Sequence, residues 1–123
     1  MQTLNAQALS ADQTEWENQL TNYKKELVEL NNQLVALAAR VNKKESTALI
    51  EHFHNQFVIQ NENIDILKHD LHQHTKALVS NGNTTVTDEL LLTSQQLKDQ
   101  FESEGKVYKD LKQEFADFLA KEN

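Results

Sequence analysis

The sequence predicts an all-α protein: three long helices packed antiparallel, up-down-up, as a coiled-coil-like bundle. Three observations predict it. The 123 residues include no proline and two glycines, Gly82 and Gly105, against the roughly 12% that these residues ordinarily supply together. A β protein needs turn residues far more often than that. Glu, Gln, Lys, Leu and Ala, all good helix formers, are plentiful. Finally, apolar residues fall into three blocks at the alternating four-three spacing of a helical seam.

The first block, Trp16, Leu20, Tyr23, Leu27, Leu30, Leu34, Leu37 and Val41, places a helix over about 11–42, with Ser10 and Gln13 as a candidate capping box at its start. The second, Ile50, Phe53, Phe57, Gln60, Ile64, Leu67, Leu71, His74 and Leu78, places one over about 46–80. The third, Leu90, Ser94, Leu97, Phe101, Glu104, Tyr108, Leu111, Phe115 and Phe118, places one over about 86–121. Residues 1–10 are expected to be a frayed N-terminal segment, and 11–122 a single domain.

The joints carry helix-end chemistry. Ser80-Asn81-Gly82-Asn83 offers a left-handed cap at Gly82, and Thr85 with Asp88 resembles a capping box. Asp88 and Glu89 suit the positive end of the helix dipole. The first joint, Asn42 to Ser46, has neither Gly nor Pro. Asn42 suits a left-handed cap and Ser46 an N-cap, and the seam loses phase between Leu37 and Ile50. A continuous helix over 11–80 is the alternative at this joint.

The hairpins can be tested by register. In an antiparallel pair, residues at one height share a constant index sum. Phe53 with Phe115, Phe57 with Leu111 and Leu71 with Leu97 obey one sum; Leu34 with Phe53, Leu30 with Phe57 and Leu20 with Leu67 obey another. Both centres of symmetry fall inside the joints. The sums gather Tyr23, Gln60, Glu104 and Tyr108 in adjacent mid-rod layers, and put Gln13, His74 and Ser94 in another. These polar seam residues are expected to fix register, with the phenol hydroxyls donating to Glu104 and Gln60. Gly105 is expected to lie within a continuous helix and to allow close approach beside Tyr23.

All five histidines lie in the second block. Asp65, His69 and His72 share an outward helical face and form a weak candidate metal chelate. Glu51 with His54 is a lone Glu-x-x-His, where a di-iron bundle needs two such pairs plus two further glutamates. Solvated surface histidines are the simpler reading, so no cofactor is expected. Val28 and Val35 on the first helix, and Ile59 and Ile66 on the second, form off-seam stripes at heptad spacing that suggest partner docking or homodimerisation.

The net charge is −7, and Arg40 is the only arginine. Nucleic-acid and anionic-membrane binding both need a basic stripe and are disfavoured. The absence of cysteine excludes disulfides and thiolate metal sites. With no glycine-rich phosphate loop and no G-x-S-x-G elbow, an enzyme is not expected. The N-terminal stretch lacks the apolar core of a secretory signal, and no run is long enough for a membrane span, so a cytoplasmic location is expected. The residues together predict a non-enzymatic protein-interaction or scaffold module. The alternative is a metal-binding bundle built on the second-helix histidines.

Overall fold

A computed structural model describes residues 6–80 and 86–122. Its elements are α1 (Ala6–Ala38), α2 (Lys44–Ser80) and α3 (Asp88–Glu122), and no strand occurs among the described residues. At 33, 37 and 35 residues, each helix is about 50 Å long at 1.5 Å per residue. The three form an up-down-up bundle.

The seam residues supply the core. Leu20, Leu34, Leu37, Ile64, Leu71 and Phe115 are essentially inaccessible to solvent, while Trp16, Leu30, Ile50 and Phe101 are partly buried at its margin. The packing is uneven around the axis: α1 and α2 approach most closely and α1 and α3 least. Side-chain size accounts for this. The α1 seam is mostly leucine, whereas bulky rings fill the contacts with α3. Phe53 meets Phe115 edge-on at 5.3 Å and stacks on Phe118 at 5.1 Å, Phe57 meets Phe115 edge-on at 5.1 Å, and Trp16 stacks on Phe101 at 5.6 Å. Such pairs add about 0.5–1.5 kcal/mol each beyond their buried area.

The helix ends correct the sequence reading. α1 is already helical at Ala6, which is buried one heptad before Gln13. The Ser10–Gln13 capping box therefore does not start the helix, and Gln13 is a core residue instead. The expected frayed segment 1–10 is helical over its described part, residues 6–10. α1 ends at Ala38 rather than near residue 42, with the Arg40 amide donating to the Leu37 carbonyl at 3.1 Å. The chain turns before Lys44, so the continuous helix over 11–80 does not form. Ser46 lies inside the first turn of α2 rather than at its cap, and its buried Oγ donates to Glu122 Oε1 at 2.6 Å. That bond ties the start of α2 to the end of α3.

At the second joint, the proposed Gly82 cap and Thr85 fall outside the described residues. The N-cap of α3 is Thr87, whose Oγ1 accepts the Leu90 amide at 3.1 Å. A Ser or Thr oxygen satisfying that donor contributes about 1 kcal/mol, and Asp88 and Glu89 follow in the first turn.

Candidate functional site

Two polar layers and the grooves between helices are the candidate sites. The mid-rod cluster lies where α1, α2 and α3 present Tyr23, Gln60 and the Glu104–Tyr108 turn. Tyr23 and Tyr108 are buried and stacked, with ring centroids 4.4 Å apart. α3 continues through Gly105, and a Cβ there would lie 3.3 Å from the Tyr23 hydroxyl. The small residue thus makes room for the phenol ring.

The hydroxyls do not serve Glu104 or Gln60. Tyr108 instead donates to Glu26 Oε1 at 2.5 Å, and Lys112 Nζ donates to the same oxygen at 3.2 Å. The phenol carries its oxygen past the bundle axis to the flank of α1, where Glu26 adjoins the seam residue Leu27. Seam periodicity gives no reason to select Glu26; only its place beside Leu27 in the Tyr108 layer points to it. The Tyr108 bond, ahead of the opposing effect of burial, draws the Glu26 carboxyl below its usual range. Burial first, then Glu26, holds the Tyr108 phenol protonated.

Glu104 is half-buried on the opposite side. Turned so that its NH2 faces the carboxylate, the buried Gln60 amide donates to Glu104 Oε2 at 2.5 Å and Oε1 at 3.3 Å. No cation forms an ion pair with Glu104 among the described residues. Burial pushes its pKa up to about 7, because desolvation penalises the charged form, while the Gln60 donor acts in the opposite sense.

The second polar layer contains Gln13, His74 and Ser94, all buried. Ser94 Oγ donates to Gln13 Oε1 at 2.7 Å, and Gln13 Nε2 donates to Thr75 Oγ1 at 3.0 Å. His74 Nδ1 lies 3.0 Å from Gln13 Oε1, and its Nε2 lies 3.0 Å from the Leu90 carbonyl. Burial lowers the His74 pKa, partly opposed by that carbonyl.

The outward histidines His69 and His72 lie on the exposed side of α2, and His72 contacts α1. Asp65 pairs with Lys24, and His72 Nδ1 lies 3.6 Å from Glu17 Oε1, so both are turned toward α1. Asp65, His69 and His72 are not brought together, and no group of three potential ligands forms among the described residues.

The off-seam aliphatics are exposed: Val28 and Val35 at 61%, Ile66 at 62% and Ile59 at 44%. They do not form one surface. Val28 lines the α1–α2 groove with Val58 and His54, whereas Ile66 lines the α2–α3 groove with Leu67 and Val107. The α2–α3 groove has two stretches, about 420 and 440 Å³, which share Gln100. Glu104 lines the first stretch and His74 the second.

Compared with protein-family models, curated proteins and solved structures, the chain matches none. No helix among the described residues is long and apolar enough to cross a membrane.

Proposed function

We propose that this chain is a non-enzymatic interaction module that engages helical segments of other proteins through the grooves of its rod. One observation carries the reading: aliphatic side chains recur at heptad spacing along two helices and remain largely exposed. Scattered exposed aliphatics need no explanation, but pairs repeated at heptad spacing, with Val28 and Ile66 each opening onto a groove, favour a contact role. The half-buried Glu104 is compatible with this reading, since its polar neighbour Gln60 is an amide that holds the carboxyl without exchanging a proton with it.

The test is site-specific photo-crosslinking in the source cells, with a benzophenone side chain at Val28, Ile66 or the fully polar position Gln113. A discrete protein adduct from either groove position and none from Gln113 supports the module. Equal, diffuse labelling at all three positions overturns it. Self-association is a narrower form of the same proposal, and a strict monomer at high micromolar concentration in sedimentation would remove that form.

A further inference from the structure

The grooves differ in charge as well as position. The two stretches between α2 and α3 are lined by Asp70, Asp99 and Glu104, and neither lysine nor arginine lines them. The pockets along α1 and α3 instead set Lys98, Lys106 and Lys109 beside Asp12, Glu102 and Asp110, and the α1–α2 groove holds one carboxylate, Glu62, against three in the α2–α3 stretches. Along α2 the lining runs from Gln60 to His74, about 20 Å of helix at 1.5 Å per residue. Within it, Ile66, Leu67 and Val107 provide an apolar strip, with Ile59 exposed one heptad before Ile66.

From this arrangement we infer that the α2–α3 groove is the docking site for a basic amphipathic helix of another protein. The inference rests on the interaction-module reading and deepens it by naming the groove and the partner's chemistry. A groove between two antiparallel helices accepts the ridge of a third, whose apolar stripe covers Ile66 and Val107. Lysines or arginines flanking that stripe reach Asp70 and Asp99 at the rim and Glu104 within it. Glu104 is the anchor, because its half-buried carboxyl has an amide neighbour but, among the described residues, no cation paired with it. Charge complementarity of this kind steers association and sets register. It also disfavours a second copy. A two-fold contact through this groove would set Asp99 and Glu104 of each chain against the matching acidic groove, on a protein whose net charge is already −7.

Fluorescence anisotropy on the full chain tests the assignment. The probe is a labelled helical peptide of about 16 residues, long enough to span the groove, with a leucine stripe flanked by lysines. Its twin carries glutamates in place of the lysines. The lysine peptide is expected to bind at least about tenfold more tightly than its twin, and Ile66→Lys or Val107→Lys to weaken it by at least about tenfold. Val28→Lys, in the other groove, should leave its affinity within about threefold. Circular dichroism establishes that each variant is folded.

Equal affinity for the two peptides overturns the charge assignment. Loss on Val28→Lys but not on Val107→Lys overturns the groove assignment while leaving the module reading intact. Failure of both peptides, together with uniform photo-crosslinking at Val28, Ile66 and Gln113, overturns both readings. Conversion of a dimer to a monomer by Val107→Lys in sedimentation identifies the occupant as a second copy and also overturns the inference.

Discussion

Gln13 reaches across the α1–α2 interface to His74, its Oε1 3.0 Å from Nδ1, while the other ring nitrogen faces the Leu90 carbonyl at the same distance. Both nitrogens thus face oxygen. An imidazolium satisfies both as a double donor. A neutral ring does so only if Nε2–H serves Leu90 and the Gln13 amide turns its NH2 toward Nδ1. Burial favours the neutral ring, so protonation and the orientation of one amide are coupled.

That coupling gives a pH prediction. The folded His74 pKa lies below the unfolded value of 6.5, so the unfolded state takes up the proton first. His74 therefore contributes stability above pH 6.5, and that contribution is lost as pH falls through the folded pKa. Replacing His74 by Gln should flatten this acid limb. Urea unfolding at several pH values, with nitrogen NMR of the ring, checks it; an unchanged acid limb in the variant would contradict the assignment.

Glu104 works in the opposite sense. Its folded pKa is raised from 4.5 to about 7, so its contribution is fully present below pH 4.5 and lost as pH rises through 7. Glu104→Gln should stabilise the protein above pH 8 by about 1–2 kcal/mol, a figure reduced for solvent screening of a half-buried group. Near pH 4 it should change little. A variant less stable than wild type at high pH would rule out this account.

Tyr108→Phe removes the donor to Glu26 and keeps the ring stacked on Tyr23. The expected loss is about 1–2 kcal/mol, the range for a hydrogen bond to a charged acceptor after partial exposure is allowed for. The Glu26 carboxyl should titrate at a higher pH in the variant, because this bond is the main influence lowering it. Carbon NMR of the side-chain carboxyls reads that shift directly.

The ring cluster near the α1–α2 turn should dominate stability. Phe115 is inaccessible to solvent and contacts Phe53, Phe57 and Phe118, so Phe115→Ala should cost about 3–5 kcal/mol. Val35→Ala on the exposed stripe should stay within about 0.5 kcal/mol. Chemical unfolding of the two variants side by side tests the contrast.

Gly105→Ala sets two small effects against each other. Alanine gains about 1 kcal/mol of helix propensity, but its Cβ would meet the Tyr23 hydroxyl at 3.3 Å. The net change should be under about 1 kcal/mol. Gly105→Leu has no such compensation and should displace Tyr23 from Tyr108, which near-ultraviolet circular dichroism would register.

The register of the bundle was legible in the sequence because it depends on large apolar residues at fixed spacing. The same index sums placed Gln13 beside His74 and Ser94 and put Phe53 level with Phe115. They did not identify Ala6, one heptad before Gln13, or Ser46, four residues before Ile50, which extend the seams but are too small or polar to stand out. Nor did they identify Thr75 and Glu26, which flank the seam within those layers and bond to Gln13 and Tyr108. The division of Val28 and Ile66 between two grooves was likewise hidden. Height along a helix follows from an index sum, but the side of the neighbouring helix follows from rotation about its axis.

An odd number of antiparallel helices sets the start of α1 and the end of α3 at opposite ends of the bundle. The bond from Ser46 to Glu122 fixes the end of α3 beside the α1–α2 turn, while Ala6 lies at the other extremity. Ala6 and Glu122 are thus held about 50 Å apart, the length of one helix. Dyes attached near Ala6 and Glu122 would therefore act as a molecular ruler of about one helix length.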